Sequence, residues 1–298
     1  MFHEGRKAYI TYLLIILNVV IYVIFSWRNS FLYIDTNVLT EYGFSPIDMR
    51  GLRGLETLIT SMFIHGNIFH IFFNMFVLYY FGRELETLLN GFRYLILYII
   101  SGVIGSLFYS ITLPVIYSTF NIYAVGASGA ISGLLGGFFI LYPHRILTLC
   151  IFTPIPICGS FNASIFLMIW IFINLVYGIF IGGNIAFFAH IGGFVGGVVL
   201  AYVLARNIVM EMLPRDKYLY EILMSYKGRG LGFFSKTISL LLISIPMIIV
   251  IFNFPHIYYI SDYYGITTQI MFSSAICILV SITSIYIVLF KDKELDIS

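Results

Sequence analysis

Apolar runs dominate the chain, separated by short polar connections, and they lack the regular polar positions that give a soluble helix its wet face. Eight runs stand out, at about 9–27, 65–82, 92–113, 127–143, 161–181, 185–205, 237–254 and 267–290. A helix rises about 1.5 Å per residue, so crossing a ~30 Å hydrocarbon core takes about 20 mostly apolar residues. Each run is therefore read as a transmembrane helix, and the chain as an all-α polytopic membrane protein. Two longer polar connections interrupt the series, at 28–60 and 206–236.

Composition narrows the picture. Sixty per cent of the residues are hydrophobic and 10% are charged, against about 25% charged in soluble domains. That excludes a soluble enzyme, a disordered chain and a disulfide scaffold. The net charge of +2 comes from scattered basic residues, so no nucleic-acid partner is expected. Cys150, Cys158 and Cys277 are read as small apolar fillers, the first two flanking a proline-broken loop. No His-Glu-x-x-His occurs, and neither a metal nor another cofactor is expected. The first run is too long for a signal peptide and lacks a small-residue cleavage site.

Lysine and arginine give the orientation. With the N-terminus inside, only Arg28, Arg50 and Arg53 of the 16 basic residues fall outside. The alternation supports an N-in, C-in topology.

Polar residues inside spans are costly and mark function. His70, Ser128 and His190 lie in the second, fourth and sixth runs, all of which descend toward the cytoplasm. Counted back from Arg83, Pro143 and Arg206, they stand about 20, 22 and 24 Å above the inner end. They share one layer, about 6–10 Å below the outer face of a ~30 Å core.

Glycines indicate which helices touch. Gly129 and Gly133 form one GxxxG face, and Gly192, Gly193, Gly196 and Gly197 form two overlapping ones. Such faces let backbones approach closely in lipid, which brings Ser128 toward His190. A serine needs an adjacent base to become a nucleophile, and a neutral histidine serves. An oxyanion formed by attack on a carbonyl needs donors. His70 and Asn74, one helical turn apart, and the Ser128 N–H at a helix start supply three. No carboxylate lies at this depth, so the expected machinery is a Ser-His dyad. His65, at a span boundary, is read as a brace for the loop. His3, His144 and His256 sit at membrane edges and are assigned no role.

These residues resemble the rhomboid intramembrane serine proteases. The resemblance rests on Thr60-Ser61-Met62-Phe63-Ile64-His65-Gly66-Asn67 with His70 and Asn74, and on Phe81-Gly82-Arg83-Glu84-Leu85-Glu86. It continues through Gly91, Arg93, Tyr98 and Ser101-Gly102 to Gly126-Ala127-Ser128-Gly129 and Ala189-His190, covering about residues 9–206. It implies a six-helix core with a water-filled cavity open to the outside, and cleavage of other proteins' transmembrane helices near the membrane surface. Ser128 is then the nucleophile and His190 the base, with His70, Asn74 and the Ser128 N–H as the oxyanion hole. Glu86 is a structural anchor, and Gly129, Gly133, Gly193 and Gly197 support the site.

Two departures stand out. Glu56-Thr57 replaces the Trp-Arg pair that many members carry, and Ser132 stands where some place an aromatic on the histidine ring, so another residue must orient His190. The expected organisation is a catalytic core over 1–206, a cytoplasmic linker over 207–236, two additional C-terminal helices within 237–290, and a tail over 291–298. The expected partners are single- or multi-span membrane-protein substrates and the lipid bilayer. A prokaryotic cell membrane is the expected location. The alternative is a non-catalytic rhomboid-like protein that binds and sorts membrane helices; such relatives usually lack the serine or the histidine. A transporter should show internal repeats, and none is evident.

Overall fold

The computed structural model describes residues 7–143, 145–151, 157–181, 186–212, 251, 254–263, 267–268, 270–271, 273–276 and 278–279. It is mostly helical. Helix α1 spans Tyr9–Ser26 and is followed by two short helices, α2 (Thr36–Tyr42) and α3 (Leu52–Thr60). Helix α4 (Ile68–Val77) runs through a π turn, Leu78–Gly82, into α5 (Arg83–Leu89). Then come α6 (Gly91–Tyr117), α7 (Ser128–Leu141), strands β1 (Ile146–Ile151) and β2 (Ile157–Asn162), α8 (Ala163–Val176) and α9 (Phe187–Met212). Among the described residues, four helical stretches are long and apolar enough to cross a membrane: Tyr9–Asn29, Gly91–Ile116, Ala163–Phe180 and Phe187–Ala205. The protein is an all-α polytopic membrane protein in its spans, with one small hairpin between them.

Burial shows that lipid is the outer solvent. On α1 the buried stripe is Thr11, Leu14, Asn18, Tyr22 and Ser26, while Leu13, Ile16, Val20 and Ile24 are exposed. A soluble helix has the reverse pattern. Two inward polar groups donate within their own helix, which spares them from hydrocarbon: Asn18 Nδ2 to the Leu14 carbonyl and the Ser26 hydroxyl to that of Tyr22. Helix α4 likewise exposes Phe69, Phe72, Phe73 and Phe76 and buries Ile71, Asn74 and Met75.

Helix α7 lies at the centre, between α6 and α9, with every residue from Ala130 to Ile140 buried. It has 14 residues, a length of about 21 Å. Its glycines meet those of α9 without intervening side chains. A methyl group on Gly193 would strike the Gly129 carbonyl, one on Gly197 the backbone of Gly133, and one on Gly136 the Phe194 carbonyl. The close approach expected from the GxxxG spacing is thus a backbone-to-backbone seam.

Glu86 is buried at the start of α1. Its carboxylate accepts from the Ile10 and Thr11 N–H groups at 2.8 and 2.7 Å and from the Thr11 hydroxyl at 2.7 Å. The first N–H groups of any helix lack an internal partner, and α1 has no side-chain cap of its own. Glu86 therefore caps α1 from another helix, where negative charge also complements the helix dipole.

Three segments differ from the sequence reading. The 28–60 connection holds α2, α3 and short 3-10 turns, with Phe44 pairing with Ala124 through both backbone hydrogen bonds. The proline-broken loop is an antiparallel hairpin in which Cys150 and Cys158 are register partners. The segment after residue 253, read as a connection, forms helix α10 (Phe254–Tyr263), with Pro255 in the first turn, where a missing N–H is harmless. Most of the two further spans and of the 207–236 linker lies outside the described residues, although α9 continues past residue 206 to Met212.

Candidate active site

Ser128 opens α7 because the helix cannot extend back through Gly126. Gly126 has φ +114°, a conformation suited to glycine alone. The turn is held from the other side: the Gly126 N–H donates to the Ser61 carbonyl at 2.8 Å and the Ala127 N–H to His65 Nε2 at 3.3 Å. His65 is fully buried and acts as the brace its position suggested. With the turn fixed, Ser128 is the first residue of α7, and its N–H, like those that follow, has no carbonyl one turn back to bond. The helix dipole adds positive potential at this point.

The Ser128 hydroxyl lies 2.8 Å from His190 Nε2, from the facing helix α9. Both residues are half-buried. The glycine seam sets this distance, because the two GxxxG faces lie within a turn or two of Ser128 and His190.

His70 stands across the Gly126 turn. Asn67 caps α4, its side chain accepting from the His70 N–H at 2.9 Å, so the helix starts at Ile68 and His65 lies before it. His70 Nδ1 accepts from the Gly66 N–H at 3.4 Å, which leaves the ring proton on Nε2. That nitrogen faces Gly126, where a methyl group would lie 2.5 Å from it. Asn74 is buried one turn further on, and its amide nitrogen donates to the His70 carbonyl at 2.8 Å. The second amide proton remains for another acceptor. Ser128, His190 and His70 thus converge on one turn, while Asn74 is bonded to its own helix.

Gly126→Ala tests this turn. The variant should react with a fluorophosphonate at Ser128 about 10²-fold more slowly or worse and melt below the parent, because alanine is strained at φ +114° and its methyl meets the His70 ring. Initial rates and a thermal melt check it.

One residue escaped the sequence reading. His190 Nδ1 lies 2.7 Å from Asn174 Oδ1, and Trp170 stacks on the imidazole at 6.0 Å, 26° from parallel. Both come from α8, one turn apart. Ser132 donates to the Ser128 carbonyl at 2.6 Å instead. The signal is present as Asn174, a polar side chain in the middle of a mostly apolar run, but one amide alone reads equally as interhelical hydrogen-bonding glue.

What the arrangement offers chemically is a hydroxyl hydrogen-bonded to a neutral imidazole, beside a helix start and a second imidazole with a free donor. Among the described residues no group of three His, Cys, Asp or Glu side chains is placed to hold a metal.

The chain is similar to known proteins over the stretch that holds these site residues. The family pattern described as the Rhomboid domain matches residues 53–207. Rhomboid protein 1, mitochondrial, of Saccharomyces cerevisiae is 31% identical over 160 residues, covering 53% of this chain and 44% of that protein. The putative rhomboid protease YdcA of Bacillus subtilis is 30% identical over 152 residues, 50% of this chain and 67% of that protein. The rhomboid protease GluP of the same bacterium is 27% identical over 205 residues, 68% and 36% respectively. The chain spans less than half the length of the yeast protein.

Proposed function

Because the chain belongs to the rhomboid family, we propose that it is an intramembrane serine endopeptidase that cleaves peptide bonds in or near transmembrane helices of other membrane proteins. The observation that carries this reading is the 2.8 Å contact between Ser128 Oγ and His190 Nε2. In the proposed reaction the Ser128 hydroxyl gives its proton to His190 Nε2 as its oxygen attacks the carbonyl carbon. The negative charge on the carbonyl oxygen is met by the Ser128 N–H, His70 Nε2–H and the second amide proton of Asn74. His190 then protonates the leaving amine, and a water activated by the same nitrogen releases the acyl group.

The proposed topology has six core spans and two more toward the C-terminus, with both ends inside, on the strength of the Lys and Arg asymmetry. It puts the serine in the outer half of the membrane, so cleavage falls close to the outer face. A substrate helix must unwind to present a peptide bond, and each unsatisfied backbone group in lipid costs several kcal/mol. Targets are therefore expected to carry glycine, proline or polar residues near that boundary. Relatives come from yeast mitochondria, a plant and a bacterium, so kinship does not favour a prokaryotic membrane over others.

Fluorophosphonate labelling tests the chemistry without a known substrate. The folded protein should be labelled at Ser128, and His190→Ala should abolish labelling within the same exposure. A folded parent protein that takes no label would overturn the reading in favour of a non-catalytic helix-binding role.

A further inference from the structure

We propose that Asn174 is a positioning residue for His190, making the machinery a Ser128–His190–Asn174 relay in place of a dyad. The inference rests on the protease reading above and adds a third member from a third helix.

The hydrogen bonds fix every orientation. Asn174 is buried, with 5% of its surface exposed. Its Nδ2 donates to the Trp170 carbonyl at 2.9 Å, so its Oδ1 faces the imidazole. The flipped amide would set oxygen against carbonyl oxygen and NH₂ against His190 Nδ1. An amide oxygen only accepts, so the 2.7 Å contact requires the proton on His190 Nδ1. The bare nitrogen is then Nε2, 2.8 Å from the Ser128 hydroxyl. Asn174 therefore holds the tautomer that the proton transfer needs, and it does so before substrate arrives.

The same contact survives the reaction. When Ser128 Oγ bonds to the substrate carbon, its proton moves to His190 Nε2 and the carbonyl π electrons move to oxygen. The resulting imidazolium keeps Nδ1–H, and Asn174 Oδ1 still accepts it. A neutral acceptor offers its dipole to the cation without burying a second charge in the bilayer, where an unpaired carboxylate would be costly. Trp170, one turn earlier on α8, covers one face of the ring, and Phe187 meets it edge-on at 6.3 Å. The ring is thus fixed in plane by hydrogen bonds at both nitrogens and out of plane by aromatic contact. This assignment supplies the orienting group that Ser132 does not.

Two variants and one spectrum test the proposal. Asn174→Leu fills the space but removes the acceptor; kcat should fall about 10²-fold, with KM and melting temperature little changed. Asn174→Asp keeps an acceptor oxygen, so its kcat should stand at least about tenfold above that of the leucine variant. In protein with ¹⁵N-labelled histidine, His190 should show a protonated Nδ1 and a bare Nε2, with Asn174 in place and no variant required. Unchanged kcat in Asn174→Leu, equal losses in both variants, or a reversed tautomer overturns the role of Asn174. Those results leave the protease reading standing so long as the parent protein is labelled at Ser128; absent labelling sinks that reading instead.

Discussion

Ser128→Ala should abolish cleavage of a co-expressed single-span membrane protein, by a factor on the order of 10⁴ or more. The size of the expected effect follows from the loss of the atom proposed to form the acyl bond; the proposed general base and oxyanion donors would have nothing left to act on. The fold should not notice. Ser128 is half-buried at a helix start, and its hydroxyl makes one hydrogen bond, to His190. Losing a bond of that kind costs about 1 kcal/mol. Cleavage is read by immunoblot of the substrate, and folding by the thermal melt of the purified variant. Persistent cleavage by a folded Ser128→Ala protein would remove the serine from the chemistry.

The second large effect concerns stability. Gly197→Val should prevent folding or lower stability by more than about 3 kcal/mol, the upper end of ordinary overpacking. The reason is what the new atoms would meet. Even a single methyl on Gly197 collides with the Cα, carbonyl carbon and oxygen of Gly133, and backbone cannot rotate out of the way as a side chain does. Helices α7 and α9 would have to separate, taking Ser128 from His190. Gly51→Ala is the matched control, since a methyl there has nothing within 4 Å. The two are compared by resistance to thermal unfolding in detergent. A Gly197→Val protein as stable as the control would mean that the seam is not a close contact.

The two predictions draw on different parts of the sequence reading. Among the described residues four of the eight runs form helices long and apolar enough to cross a membrane; these were legible because lipid demands long apolar runs with internally satisfied backbones, and the seam because glycine at four-residue spacing has few other uses in such a helix. Ser128 and His190 were legible because a matched depth is improbable for unrelated polar residues. The 28–60 segment was not, because its short helices are marginal by local preference and depend on contacts such as the Phe44–Ala124 pairing and the Thr60 hydroxyl on the Tyr42 carbonyl. The hairpin was hidden by its prolines, which sit between the strands and read as a break. Asn174 was missed for a chemical reason. In a membrane a neutral amide supplies an acceptor at far lower cost than a carboxylate, but one such amide in an apolar run reads equally as glue between helices.

The glycine seam has a further consequence, in conformational entropy. Where large side chains interlock, their torsions keep some freedom and the spacing between helices varies with it. Glycine has no side-chain torsions, so the glycine positions of α7 and α9 lose no rotamer entropy on meeting. At those positions the gap is set by backbone atoms. Ser128 and His190, carried on these two backbones, thereby inherit a narrow distribution of separations. Thermal motion that would blur a side-chain interface leaves the reacting atoms in register.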